Sequence, residues 1–437
     1  MTPRRYPASP TDPSPLGKPL TFEFSGKAAK NRLLKAAMTE RLSTWHPNNL
    51  EERGGEGGFG VILTGHIMIA YDQLEAAGNS VVSRDAPFFG ERFEAFKEMA
   101  SVTKQHGSLA VAQISHPGRQ VGNLIQKNPI SASDVQLEVE VMGMHFNKPK
   151  AMEENDFKNV VEGFAHAAEY LYKAGFDGIQ LHGAHGYLLA QFLSPTTNKR
   201  RDKYGGSIEN RSRLIFEIAD AIRTRVTDPS FIIGIKVNSV EFQEGGFSTE
   251  DCEILCRNLE QHGFDFLELS GGTYQSLGFT YYRESSKKRE AFFLDFADKI
   301  IPELSKTKAY VTGGLRTVKA MVDALDTVHG VGLGRPATHE FDLAAKILSG
   351  EANSAIDYLL DEQNFGVTNI ASGAQIRLVG KDKQPLDLSR EDHLKAFQDS
   401  MTQWGQGMTQ NKDNFKFGFV DIQGVRLEPY GASYASA

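Results

Sequence analysis

Two histidines three residues apart, His182 and His185, are followed two residues later by Tyr187 in the stretch QLHGAHGYLLAQFLSP, residues 180–195. Imidazole and phenol groups so spaced could bind a metal, satisfy one another inside a core, or grip and protonate a small molecule. A catalytic zinc needs at least three protein ligands. No glutamate lies in the motif and no H-E-x-x-H occurs, so no metal is assigned. Neutral imidazoles donate hydrogen bonds, and a phenol can act as a general acid. The spacing therefore suits two imidazoles holding a carbonyl or similar oxygen while Tyr187 handles a proton, with a structural histidine cluster as the alternative.

Other polar residues end apolar runs. Lys236 closes IIGIKVN, and a buried ammonium is expensive unless a negative group pairs with it. Gln113 and Thr39 offer an amide and a hydroxyl at similar positions. The stretches VTGGLRT and GLGRPATHE carry Gly313, Gly314, Gly334 and Arg335. Glycine turns at helix starts present backbone N–H groups to phosphate, and arginine adds a charged fork. Tight turns alone would be the plainer reading.

These residues need a scaffold. Short apolar runs recur at 31–38, 60–65, 109–114, 177–182, 232–238, 266–272, 309–314 and 330–335. Helical patterns separate most of them, such as FGERFEAFKEMASVTKQHG and DFKNVVEGFAHAAEYLYKAG, the latter stopped by glycine. Alternating strand and helix predicts an α/β fold with a parallel sheet, and eight units close into a single (β/α)8 TIM barrel. An open dinucleotide-binding sheet would carry G-x-G-x-x-G after its first strand, which is absent. Thr39, Gly65, Gln113, His182, Lys236 and Gly334 then share the barrel face where active sites are built, and the two glycine loops follow strands seven and eight, a frequent phosphate site.

The chain has 437 residues, 40% of them hydrophobic, and a net charge of -7. No basic stripe points to nucleic acid, and no run approaches the ~18 apolar residues of a membrane span. The proline-rich start, MTPRRYPASPTDPSPLGKPL, lacks an apolar signal region and reads as an extended arm. Only Cys252 and Cys256 occur, on one face of a predicted helix, which suits a reducing cytoplasm. The repeat ends near Gly350. Residues 1–350 are expected to form the barrel with its arm. Residues 351–437 would form an extension, helical at SAIDYLLDEQNFG and REDHLKAFQDSMTQWGQGM and then irregular, packed on the barrel or on a second subunit. A monomer and a homodimer both fit.

The stretch HGAHGYLLAQFLSPTTNKRRDKYGGSIENRSRL, residues 182–214, resembles the hallmark segment of the old yellow enzyme family of FMN-dependent ene-reductases. The likeness extends over about residues 18–350. QISHPGRQ (113–120) and AMTERLST (37–44) fall where that family has flavin contacts. The His–His pair, in place of His–Asn, is similar to the bacterial, thermophilic-like branch. The insert GGTYQSLGFTYYRESSKKREAFFLDFA resembles an NADH:flavin oxidoreductase subgroup.

The resemblance implies that FMN is the cofactor and NADPH or NADH the hydride donor. It implies that Ala37, Met38, Thr39 and Gly65 approach the flavin ring, Gln113 its pyrimidine edge and Lys236 its N1 and O2. Gly313, Gly314, Gly334 and Arg335 would hold the phosphate. His182 and His185 would bind a substrate oxygen beside Arg41, and Tyr187 would supply a proton. Two positions depart from the bacterial-like pattern: Thr39 stands where cysteine is usual and Arg41 where tyrosine is usual. The implied activity is a hydride relay from NAD(P)H through FMN to a small-molecule alkene activated by a carbonyl or nitro group. Relatives with iron–sulfur domains would need more cysteines. The competing expectations are a barrel that reduces quinones or flavin and a flavin module without turnover.

Overall fold

All eight apolar runs form strands, in the order in which the sequence presents them. They are β1 Leu33–Lys35, β2 Val61–Leu63, β3 Leu109–Ser115, β4 Gly178–Gly183, β5 Ile232–Val240, β6 Phe266–Gly271, β7 Lys308–Thr312 and β8 Gly330–Leu333. The structure is a computed structural model and describes residues 3–43, 57–140, 143–241, 244–271, 294–411 and 417–434. Each strand pairs in parallel with the next, and β8 pairs with β1, so the sheet closes into a (β/α)8 barrel. Most of the insert after Gly271 lies outside the described residues, as does Thr44.

Side chains alternate across a strand, and this alternation builds the interior. Val61, Leu63, Val111, Ile232, Phe266 and Tyr310 cluster with Leu20 and Phe22 of the N-terminal hairpin. Further along the same strand faces stand Gln113, Lys236, Glu268 and Thr312. The barrel is thus apolar where its strands begin and polar where they end. Gly234 has to be glycine, because a Cβ there would meet the Phe266 ring at 2.3 Å.

Helices α1 Glu91–Lys104, α2 Glu154–Lys173, α3 Arg213–Arg225, α4 Thr249–Gln261, α5 Leu294–Ile300 and α6 Val318–Ala324 surround the sheet. Helix α2 starts on a reciprocal capping box between Glu153 and Asp156. It buries Phe157, Val160, Phe164 and Leu171 at helical spacing against the outward strand residues. Cys252 and Cys256 are buried on α4 as free thiols, with Sγ atoms 3.9 Å apart. No helix among the described residues is long and apolar enough to cross a membrane.

The extension carries α7 Phe365–Val379 and α8 Glu391–Thr409, with an apolar cluster that includes Tyr358, Ala371, Leu378, Phe397 and Val420. REDHLKAFQDSMTQWGQGM forms α8 as expected. SAIDYLLDEQNFG does not form a helix: its residues 354–364 are extended or turn. The N-terminal arm takes its backbone groups. Ile356 bridges Arg5, Tyr6 N–H donates to the Ala355 carbonyl at 3.1 Å, and Asp357 N–H donates to the Arg4 carbonyl at 2.9 Å. Groups paired in this way cannot make helical i→i−4 bonds. Helix α7 was not anticipated, since Gly366, Gly373 and several β-branched residues lower its intrinsic propensity. Gly373 has a packing reason: a Cβ there would lie 2.1 Å from the Phe419 ring.

Candidate active site

A cavity of about 220 Å³ opens at the C-terminal ends of the strands. Ala37, Met38, Thr39, Gln113, His182, His185, Tyr187, Lys236, Gly313, Gly314, Gly334 and Arg335 all line it, as the strand assignment requires. Two expected residues do not. Gly65 stands behind the wall, where its N–H donates to Glu40 at 3.1 Å; a Cβ there would meet the Met38 carbonyl at 2.7 Å. Arg41 is buried outside the cavity, ion-paired with Glu75 and stacked 4.8 Å over the Phe419 ring.

The histidine loop leaves β4 through a constrained turn. His185 has φ 57° and Gly186 φ 76°, and the left-handed region is uncommon for a non-glycine residue. Hydrogen bonds from several segments hold this turn, among them one from His185 N–H to Asn238 Oδ1 at 3.2 Å. Gln191 donates to the Gly186 carbonyl at 2.7 Å. Gln120 donates to the His185 carbonyl at 3.2 Å. Leu188 N–H donates to the His116 carbonyl at 3.0 Å. Of QISHPGRQ, then, Gln113 reaches the cavity while His116 and Gln120 fix the loop. Arg211, in the second half of the hallmark segment, pairs with Asp251 at 2.7 Å and donates to the Leu193 carbonyl, which secures the helix Leu188–Leu193 that follows Tyr187.

The three rings stand edge to face: centroids are 5.2 Å apart for His182–His185 and 4.6 Å for His182–Tyr187. His185 Nε2 contacts Ser270 Oγ at 3.0 Å. Ala184 N–H donates to His182 Nδ1 at 3.4 Å, which leaves the His182 proton on Nε2. Burial first, and then the neighbouring imidazoles and Lys236, push both histidines well below the usual imidazole range. Neutral imidazoles in this setting are hydrogen-bond donors.

Lys236 meets the requirement placed on a buried ammonium. Its Nζ lies 2.9 Å from Glu268, which is itself fully buried. Glu268 also accepts from Thr312 at 2.6 Å and from Gln180 at 2.8 Å, and Gln180 accepts from Gln113 at 2.7 Å. No motif in the sequence singles out Glu268 or Gln180. The available signal was a polar residue at an inward position of an apolar strand.

A second network joins Thr39 and Arg41. Thr39 Oγ1 lies 3.3 Å from Glu75 and 3.1 Å from His66 Nε2. Asn79 reaches Glu75 at 3.3 Å, and Arg41 pairs with the same carboxylate. Thr39 and Arg41 are therefore linked through one carboxylate, that of Glu75. Burial alone would raise the Glu75 carboxyl, but Arg41 and His66 outweigh it and hold it well below the usual carboxylate range. The His66 ring also faces Tyr187 edge-on at 5.4 Å. No local sequence signal marked Glu75.

The far end of the cavity is built from turns. Gly313 and Gly314 have φ 142° and 74°, which side-chain-bearing residues rarely adopt. Arg335 Nη1 donates to Thr368 of α7 at 2.8 Å. Arg316 is clamped by Glu362 at 2.9 and 2.8 Å. Amide, hydroxyl and ammonium groups at one end, with glycine turns and an arginine at the other, form the donor set that a flavin mononucleotide requires.

The chain is similar to several known proteins. A family model described as NADH:flavin oxidoreductase / NADH oxidase matches residues 15–353. The chain is 48% identical to an Aspergillus parasiticus protein named NADH-dependent flavin oxidoreductase nadA, over 90% of this chain and 92% of that one. It is 35% identical to a Talaromyces variabilis protein, NADH-dependent flavin oxidoreductase iccE, over 74% and 83%. Morphinone reductase in complex with tetrahydroNAD superposes with a TM-score of 0.64 at 24% identity, over 78% of this chain and 92% of that one, a likeness of fold.

Proposed function

The chain belongs to the NADH:flavin oxidoreductase / NADH oxidase family, an oxidoreductase working with FMN and NAD(P)H, and on that premise we propose that it reduces C=C bonds activated by a carbonyl or nitro group. The observation that carries this reading is the grouping of His182, His185 and Tyr187 in one cavity with Gly313, Gly314, Gly334 and Arg335. FMN, when bound, supplies the hydride that it takes from NAD(P)H. His182 and His185, as neutral donors, hold the activating oxygen and stabilise the negative charge that develops there. Tyr187 delivers a proton to the α-carbon, since a phenol is ordinarily protonated at neutral pH and the Tyr187 ring is fixed against His182. Gln113, Lys236 and Thr39 orient the flavin ring, with Ala37 and Met38 beside it. The His182–His185 pair is our ground for setting the chain beside the bacterial, thermophilic-like branch, and the names of the Aspergillus and Talaromyces relatives favour NADH as donor.

Tyr187→Phe tests the reading, because it removes only the hydroxyl. Flavin reduction by NAD(P)H should be nearly unchanged in rapid mixing. Reoxidation by cyclohexenone should slow by roughly 10²–10⁴-fold, the scale of losing a positioned general acid, while reoxidation by quinones is spared. Equal slowing of both half-reactions would leave Tyr187 a packing residue. Wild-type protein that takes up FMN and is reoxidised by quinones but by no enone would instead be a quinone reductase, and one reoxidised by neither a flavin module.

A further inference from the structure

Part of the cavity wall comes from outside the barrel. Phe365 and Asn369, one turn apart on α7, line the same cavity as Gly313, Gly334 and Arg335. Residues four apart stack on one helix face. Thr368, on that same side, accepts from Arg335 at 2.8 Å, and the Arg335 guanidinium lies 6.0 Å from the Phe365 ring centroid. Helix α7 is held again lower down, where Gln375 meets His339 Nδ1 at 3.1 Å and donates to the Leu386 carbonyl at 2.7 Å. This face of α7 is therefore fixed at the arginine end of the cavity.

Asn369 is half-buried there, and its amide makes no hydrogen bond with another described residue. Its neighbours are engaged, Thr368 with Arg335 and Arg316 with Glu362. A phosphate monoester brings about -1.5 to -2 charges at neutral pH. With Arg316 already neutralised by Glu362, Arg335 is the main cation left to meet that charge, and the rest of the shell has to come from neutral N–H donors. A side-chain amide supplies two of them.

We propose that Asn369 is a cofactor-binding residue whose Nδ2 donates to a phosphoryl oxygen of FMN, so that the extension completes a phosphate site begun by the barrel. The inference rests on the phosphate reading of Gly313, Gly314, Gly334 and Arg335. The full-length protein is equilibrated by dialysis against FMN or riboflavin, and bound flavin is read by absorbance. Asn369→Ala should weaken FMN by roughly 10-fold or more, the scale of one hydrogen bond to a charged group, and leave riboflavin unchanged. Asn369→Asp, which sets a carboxylate beside the phosphate, should weaken FMN further, again without touching riboflavin. Unchanged FMN affinity in both variants, or equal loss of both flavins, overturns the assignment. Arg335→Ala separates the two levels: if it fails to reduce the preference for FMN over riboflavin, the phosphate reading itself falls; if it does reduce it and the Asn369 variants do not, only the role of Asn369 falls.

Discussion

The two ends of the cavity are held in place by different means. At the barrel end, the contacts follow strand register. Gln113 is the register partner of Gln180, and Lys236 is the partner of both His182 and Glu268, so the chain Gln113–Gln180–Glu268–Lys236 is assembled by sheet pairing. At the far end, Arg335 is held by Thr368 and Arg316 by Glu362, both from a segment beyond the barrel. The barrel end is positioned by the paired strands themselves. The far end depends on docking of the extension, and side chains there can be lost without disturbing the sheet.

The sharpest test of this contrast is Glu268→Gln, which leaves the Lys236 ammonium buried without its carboxylate. Removing one partner of a buried pair costs ~3–5 kcal/mol, to be read by urea unfolding of the flavin-free protein. Adding Lys236→Met should recover most of the loss, and a double-mutant cycle measures the coupling. A single variant as stable as wild type would mean that the pair does not anchor the barrel end.

Two carboxylates allow the comparison to be made against pH. Glu362 is pulled down to about 2: burial would raise it, but Arg316 and Tyr358 outweigh burial. Glu75 is also depressed. A carboxyl whose folded pKa lies below its unfolded value, near 4.5, adds stability above pH 4.5, and that stability is lost as pH falls toward the folded value. Glu75→Gln and Glu362→Gln should each lower stability at pH 7 and flatten its decline between about pH 4.5 and pH 2. Flattening should be greater for Glu75, which is only 2% exposed, than for Glu362, whose side chain is 35% exposed and screened by solvent. Parallel acid limbs in wild type and both variants would contradict the assignment.

The smallest effect belongs to Thr368→Val. It deletes the acceptor of the charged Arg335 and should cost about 1.5–3 kcal/mol in urea, with a loss of FMN affinity and little change in riboflavin affinity. A change as large as that of Glu268→Gln would show that the far end is as deeply tied into the fold as the barrel end.

The same contrast explains what could be read from the sequence. Short apolar runs that alternate with helical stretches, one of them stopped by glycine, reveal a barrel. Once the strands are assigned, Gln113, His182 and Lys236 fall at one mouth without any knowledge of contacts. Glu268 and Gln180 obey the same rule, as polar residues on the inward face of apolar strands. Glu75 and Asn369 could not be found in this way, because loop and helix docking leave no periodic trace. SAIDYLLDEQNFG misled because helical composition says nothing of a distant arm that claims its backbone. Arg41 misled because a position at the mouth does not fix where a long side chain turns; here a buried carboxylate draws it away from the cavity.

The lacing of the arm onto residues 354–357 bears on the order in which the molecule can be made. Arg5 donates to the Ser354 carbonyl across 349 residues of chain. Closing so long a loop is thermodynamically mild, since each doubling of length adds only about 0.6 kcal/mol, but contacts of such separation form late. A nascent chain emerges from the ribosome N-terminus first, so Arg4, Arg5 and Tyr6 meet residues 354–357 only after every barrel strand has been synthesised. Helix α7 follows later still, and with it the acceptor of Arg335. Flavin capture by way of the phosphate should therefore be a late step of biogenesis. Stalled nascent chains that expose the barrel but not Val379 should prefer FMN over riboflavin less strongly than the full-length protein, and the full preference should arise only once α7 has cleared the ribosome.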